Sequence, residues 1–480
     1  MTIDARQRWL ALYVLCLGDL MIVLDTTIVN VALPSIRTDL GFTEASLAWV
    51  VNAYLLTFGG FLLLAGRLGD LYGQRRLFLI GIAGFTVASL ACGLANSKGL
   101  LVGARAVQGL GGAIVSAIAL SLLMILFTEP AERAKAMGVV GFVLSGGGTA
   151  GVLLGGVLTD VLSWHWIFLV NLPVGVAVFA LCLALLPSDR PTRTGRLDIA
   201  GAVTVTASLM LAVYAIVNGN QEGWTSGQTL GMLAGAVVLL AVFLTIEARV
   251  SAPLMPLGIF RIGNVASANV TGILLAGAMF AWFFLSALYL QRVLGYSPLE
   301  VGLGFLPGTL VWGAASLFLS DKLVMRYGIK VPLISGLLLY TAVLLLFARA
   351  PVDGNFFVDV LPGMLLIGLG GGITFNPILL AAMGSVEPSE SGLASGVVNT
   401  AFMMGGALGL AVLASVAASR TDSLAASGHA PLAALTGGYH VAFIVGALFA
   451  VAAAAVAGAL IHAPAHGGEE ASGFPAAEVE

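Results

Sequence analysis

Long apolar runs alternate along this chain with short polar, charged or Pro/Gly-rich breaks. Six runs lie near 10–31, 49–66, 77–96, 101–126, 136–158 and 165–186. Two more lie near 199–219 and 229–248, and a last six near 265–290, 300–320, 332–349, 359–382, 395–418 and 439–462. A helix rising 1.5 Å per residue needs about 20 apolar residues to cross the hydrocarbon of a bilayer. The pattern therefore predicts an all-α polytopic membrane protein with fourteen transmembrane helices.

The pattern also repeats. Leu68, Gly73 and Arg75 recur as Leu323, Gly328 and Lys330. The stretch Gly109-Leu110-Gly111-Gly112 recurs as Gly368-Leu369-Gly370-Gly371, Glu129-Pro130-x-Glu132 as Glu387-Pro388-x-Glu390, and Gly138-Val139-Val140 as Gly396-Val397-Val398. The offset stays between 255 and 259 at four separate places, which chance explains poorly. Helices 1–6 then match helices 9–14, and helices 7 and 8 are an insertion. The expected organisation is an N-terminal six-helix half (1–186), a linker carrying the inserted helices (187–262), a C-terminal six-helix half (263–462) and a disordered acidic tail (463–480). Two parallel halves around a midplane site is transporter architecture. The interiors of helices 7 and 8 lack charge, so they are expected to pack peripherally, away from a central cavity.

Charge fixes the orientation. With the N-terminus inside, fifteen of the 21 Lys and Arg residues fall on the inner segments. Arg37, Lys98, Arg292, Arg349 and Arg420 fall outside, and Arg105 alone falls within a span. By the positive-inside rule both termini are cytoplasmic, as suits a plasma (inner) membrane protein. Composition agrees: the chain is 59% hydrophobic and 9% charged, with mean hydropathy +1.03. A net charge of -3 argues against a nucleic-acid partner. Cys16, Cys92 and Cys182 sit in apolar runs as packing residues and offer no metal spacing. No P-loop occurs, so ATP-driven transport is not expected, and no nucleophile, metal or paired-acid constellation points to an enzyme. The first apolar run is too long for the apolar region of a cleavable signal peptide.

One charged knot stands out, Gly66-Arg67-Leu68-Gly69-Asp70-Leu71-Tyr72-Gly73-Gln74-Arg75-Arg76, between two apolar runs. It must lie outside hydrocarbon and is expected to form a cytoplasmic hairpin. Its glycines would permit a sharp turn, and Asp70 would cap the next helix or pair with an arginine. Its spacing resembles the loop signature between helices 2 and 3 of the major facilitator superfamily; the plainer reading is a basic loop that only sets topology.

With the fourteen runs and the repeat, the chain is similar to the fourteen-helix drug:proton antiporter branch of that superfamily over nearly its whole length. Leu24-Asp25-Thr26-Thr27-Ile28-Val29-Asn30-Val31-Ala32-Leu33-Pro34 looks like the branch's first-helix signature, and Trp49 and Tyr54 fit its second helix. Arg105-x-x-Gln108-Gly109 looks like the fourth-helix motif, whose arginine the resemblance implicates in proton transfer. Gly147-x-x-x-Gly151-Val152-x-x-Gly155-Gly156 looks like the antiporter motif of helix 5, with Val152 where proline is usual. Trp166-Ile167-Phe168-x-x-Asn171-x-Pro173-x-Gly175 fits helix 6, although His165 takes a place usually held by arginine, and Tyr289-Leu290-Gln291 through Pro307 fits helices 9 and 10. Phe402-Met403-Met404 is apolar where relatives often carry polar residues, which implies a preference for greasy compounds.

A charge inside a span costs roughly 2.5–3.5 kcal/mol on insertion scales, so each one needs a reason. Asp25 and Arg105 lie about 9 Å and about 6 Å below the outer ends of their runs, depths that allow pairing. Both are candidates for proton coupling, against a purely structural ion pair. Asp19, six residues before Asp25 and about 120° around the helix, is a third candidate. Asp160, Glu247 and Asp359 lie at span ends, where water or snorkelling would serve them. The cytoplasmic gate is assigned to Gly66, Asp70, Gly73, Arg75 and Arg76. The substrate cavity is assigned to Asn30, Tyr54, Gln108, Gln291, Met403 and Met404, against lipid contact or helix packing for each. The helix-5 glycine motif, Gly147, Gly151, Gly155 and Gly156, is assigned to close helix contact. The function expected is proton-coupled efflux of amphiphilic small molecules by alternating access, by a functional monomer in the lipid bilayer, with the proton gradient as its only energy source and no cofactor. The alternatives are a dedicated exporter of one self-made metabolite and a non-transporting membrane sensor or scaffold.

Overall fold

Fourteen long helices run through the computed structural model, which describes residues 5–127, 129–186, 198–251, 253–383, 386 and 391–462. They are α1 (Ala5–Leu40), α2 (Trp49–Tyr72), α3 (Gln74–Gly93), α4 (Lys98–Leu126), α5 (Pro130–Val161), α6 (Asn171–Leu185), α7 (Ile199–Glu222), α8 (Gly227–Arg249), α9 (Val265–Leu288), α10 (Pro298–Ala315), α11 (Lys330–Phe347), α12 (Leu361–Met383), α13 (Ser391–Ala426) and α14 (Pro431–Leu460). Thirteen segments among the described residues are long and apolar enough to cross a membrane, and α5, with 32 residues, completes the fourteen. No strand occurs among the described residues. The expected tail, 463–480, and the first part of the expected linker, 187–197, lie outside them.

Local chemistry sets many of the boundaries. Ser97 caps α4, Ser226 caps α8, and Ser297 with Glu300 forms a capping box on α10, each satisfying backbone donors that a helix start leaves free. One expectation is corrected. The first helix does not end with its apolar run at 31 but continues through Pro34 to Leu40. The charged knot makes a tight hairpin of the kind its glycines suggest: α2 continues to Tyr72, α3 begins at Gln74, and the turn is confined to Gly73, whose φ of 92° is one that L side chains rarely adopt.

The two halves meet along two seams related by the repeat: α2 packs on α13, and α5 packs on α10. Glycine on α5 explains how three helices come so close. A Cβ on Gly147 would lie 2.8 Å from Leu20 Cδ1, one on Gly151 3.1 Å from Leu24 O, and one on Gly155 2.7 Å from Ile28 O. A four-residue stripe on α5 thus faces a four-residue stripe on α1. Gly156 points the other way, where a Cβ would meet Pro298 O at 2.7 Å and Leu299 Cα at 3.0 Å, at the root of α10. Gly156→Ala is therefore expected to lower the thermal unfolding midpoint in detergent, since overpacking costs about 1–3 kcal/mol; an unchanged midpoint would mean that this crossing relaxes freely.

Of the inserted pair, α8 is the peripheral helix, packing chiefly on α7. The other inserted helix, α7, sits against both α2 and α13. Thr206 lies where a Cβ on Gly60 would be, Ser415 of α13 donates to Ile216 O at 3.0 Å, and Ser208 donates to Ala236 O of α8 at 2.7 Å. Lack of charge says nothing about small-residue packing, and small residues bring α7 into the seam.

Candidate functional site

Asp25 is fully buried near the middle of α1, fifteen residues before its end or about 22 Å along the axis. Arg105 of α4 is equally buried and pairs with it, its Nη1 donating to Asp25 Oδ2. Asp25 Oδ1 accepts from Gln108 Nε2 at 2.7 Å and from Asn171 Nδ2 of α6 at 3.4 Å. Gln108 Oε1 in turn accepts from Arg105 Nη1 at 2.7 Å. Ser89 of α3 accepts from Gln108 at 2.8 Å and from Asn171 at 3.5 Å. Arg105 Nε donates to Val50 O of α2 at 2.9 Å, and its guanidinium carbon lies 4.5 Å from the Tyr54 ring centroid and 5.6 Å from that of Phe168. One buried carboxylate thereby ties together five of the six N-terminal helices. Such a network is costly when half-satisfied and rigid when complete.

Gln108 and Tyr54, assigned from sequence to a substrate cavity, belong to this network. Ser89 and Asn171 were not among the assigned site residues. Asn171 stands in the helix-6 motif and Ser89 is a hydroxyl in an apolar run, which is the signal that was available. Asp19 is half-buried and makes no hydrogen bond or ion pair among the described residues. Asn30 turns back on its own helix, donating to Thr26 O at 3.2 Å. Met403 and Met404 lie in the α2–α13 seam beside Gly59. Gln291 sits between the halves, its Nε2 donating to Val31 O of α1 at 2.7 Å.

At the knot, Arg75 Nη2 donates to Leu183 O at 2.7 Å, which places its charge at the C-terminal end of α6 within the N-terminal half. Arg76 is exposed, and a Cβ on Gly66 would meet open space. The side chain of Asp70 lies outside the described residues. Glu247, expected to reach water at a span end, is buried instead, at 3% exposure.

At the opposite ends of these helices the halves are joined by charge. Glu44, on a short helix (Glu44–Leu47) before α2, pairs with Arg37 at 3.2 Å and with Arg292, on the π turn that ends α9. The Gln291 bond to Val31 adds to this latch. Partly exposed pairs are worth about 1 kcal/mol at most, or roughly fivefold in a two-state ratio. Glu44→Gln is accordingly expected to raise, by a few-fold, the rate at which a thiol-specific reagent added on that side labels Val31→Cys. An unchanged rate would mean that the latch does not hold this side closed.

Comparison with known proteins agrees with the architecture. Residues 15–410 match the family model described as Major Facilitator Superfamily. The chain is 40% identical over 457 residues to the puromycin resistance protein pur8 of Streptomyces alboniger, covering 93% of this chain and 90% of the relative. It is also 40% identical over 417 residues to the cephamycin export protein CmcT of Amycolatopsis lactamdurans, covering 86% and 85%. Among solved structures it is similar in fold to the nucleoside transporter NupG, with a TM-score of 0.65, 12% identity and coverage of 94% and 100%.

Proposed function

The chain belongs to the major facilitator superfamily, and on that premise we propose that it exports drugs and related amphiphilic small molecules across the plasma membrane, in exchange for protons, by alternating access. The cargo class rests on the relatives, one a puromycin resistance protein and one a cephamycin exporter. The excess of Lys and Arg on the inter-helix segments that share a side with the N-terminus supports cytoplasmic termini, so that export runs away from the side carrying Gly73.

One observation carries proton coupling: the only ion pair buried on both sides among the described residues joins Asp25 to Arg105. In this state the pair is sealed from water. Opening the N-terminal half would expose Asp25, and a proton arriving there would remove the charge that holds Arg105, Gln108 and Asn171 together. Asp19, about 1.7 turns nearer the cytoplasmic end and without a partner among the described residues, would give a cationic cargo arriving from the cytoplasm a first carboxylate to meet. Protonation and cargo occupancy would thus favour different arrangements of the same helices, and differential affinity of this kind is what coupling requires.

The proposal is tested in everted membrane vesicles with puromycin, a cephamycin and unrelated amphiphiles, with and without a pH gradient. Gradient-dependent uptake of several compounds is expected. Uptake of a single compound would favour the dedicated exporter, and no uptake of any would favour the sensor or scaffold.

A further inference from the structure

The inserted helices carry a second buried acidic site that has no part in the Asp25 network. Asp198 caps α7, its Oδ1 accepting from Gly201 N at 2.7 Å. Glu247, two residues before the end of α8, accepts from Met255 N at 3.0 Å through Oε2. The two side chains are 5% and 3% exposed and lie within hydrogen-bonding reach of each other across Gly201, where a Cβ would meet both carboxyl groups. Each has one oxygen served by a backbone N–H, and Asp198 Oδ2 and Glu247 Oε1 have no donor among the described residues. Two ionised carboxylates cannot bond to each other; one proton between them satisfies both orphaned oxygens.

The same carboxyl holds a segment that touches the charged knot. Met255 N is bound to Glu247, and two residues earlier Pro253 O accepts from Arg67 Nη2 of α2 at 2.8 Å. Glu247, Met255, Pro253 and Arg67 thus form one chain of contacts from the inserted pair to the cytoplasmic end of α2. Few other charges face the pair. Arg67 is engaged with Pro253, Arg249 on α8 itself is exposed, and α13 has no charged residue between Ser391 and Arg420. The side chain of Asp70 and all of residues 187–197 lie outside the described residues.

We propose that Asp198 and Glu247 form a proton-binding carboxyl pair whose shared proton docks the Pro253–Met255 segment on Arg67, anchoring the inserted helices to the cytoplasmic end of α2. With the proton in place the carboxyls stay joined and Glu247 keeps Met255. When it leaves, two buried negative charges repel, Glu247 swings toward water and the segment lets go of Arg67. Docking is therefore present at low pH and lost as pH rises and the shared proton leaves. Asp25 takes no part, so a failure of proton coupling at Asp25 would leave this site intact.

The test is hydrogen–deuterium exchange of the Met255 amide in the full chain in lipid nanodiscs. It is followed from about pH 5 to about pH 9 and corrected for the intrinsic exchange rate. The wild-type protection factor is expected to fall by about tenfold per pH unit above the titration midpoint, the slope for one released proton. In Glu247→Gln the amide nitrogen replaces the shared proton and the amide oxygen still accepts from Met255, so protection should persist and become flat with pH. Asp198→Asn, which also keeps a cap for Gly201, should do the same. Flat wild-type protection overturns the proposal, as does a wild-type slope surviving in both variants. A slope that shifts with sodium concentration at fixed pH would overturn it in favour of a metal cation.

Discussion

Asp25→Asn is expected to abolish concentrative, proton-driven transport while leaving downhill movement of a neutral cargo in place. Asparagine is nearly isosteric with protonated aspartic acid and still accepts from Gln108, so the five-helix network should survive in outline. It cannot release or take up a proton, and it leaves Arg105 without the negative partner it holds now. The expected result in reconstituted vesicles is a loss of gradient-dependent accumulation of at least about tenfold, equivalent to about 1.4 kcal/mol of coupling, with cargo affinity changed much less. If the variant still concentrates cargo in response to protons, the coupling carboxylate lies elsewhere. Asp19 would be the next candidate, because α9, α10, α11, α13 and α14 carry no charge in their interiors.

Arg105→Gln is expected to have the largest effect on stability. Breaking a buried pair by removing one member costs about 3–5 kcal/mol, because the remaining charge is left uncompensated. Here the stranded group would be Asp25, which has no water contact. The expected result is a marked drop in the thermal unfolding midpoint of the purified protein. Asp25→Asn/Arg105→Gln should recover much of that drop without recovering coupling, since neither buried charge remains. A single Arg105→Gln variant as stable as wild type would show that the pair is not sealed as the structure has it.

The fold was legible in the sequence because the bilayer imposes one strong rule, an apolar run for every crossing. The repeat then fixed the count at eight positions of helix offset. What sequence could not give was where helices extend past their apolar runs: Pro34 lies inside α1, and the charged knot is mostly helix around one turn at Gly73. The ion pair was legible because Asp25 and Arg105 are costly and few. Its partners were less so, since Ser89, Gln108 and Asn171 come from three helices and polar residues are cheap enough to occur for packing reasons. Tyr54 was readable as an aromatic on α2 but not as a ring under Arg105. Arg292 counted only as an outer charge until Glu44 was found opposite it, and Glu247 at a span end gave no sign that Asp198 would cover it. Contacts between helices far apart in the chain are what pattern along the chain cannot encode.

Proton movement itself is the most direct test of exchange. Purified protein is reconstituted into vesicles loaded with puromycin, diluted into puromycin-free buffer at the same pH, and the lumen is followed with a trapped pH dye against protein-free vesicles. The expected result is lumenal acidification as cargo leaves, absent with Asp25→Asn. Cargo leaving the wild-type vesicles with no proton entry would contradict the account.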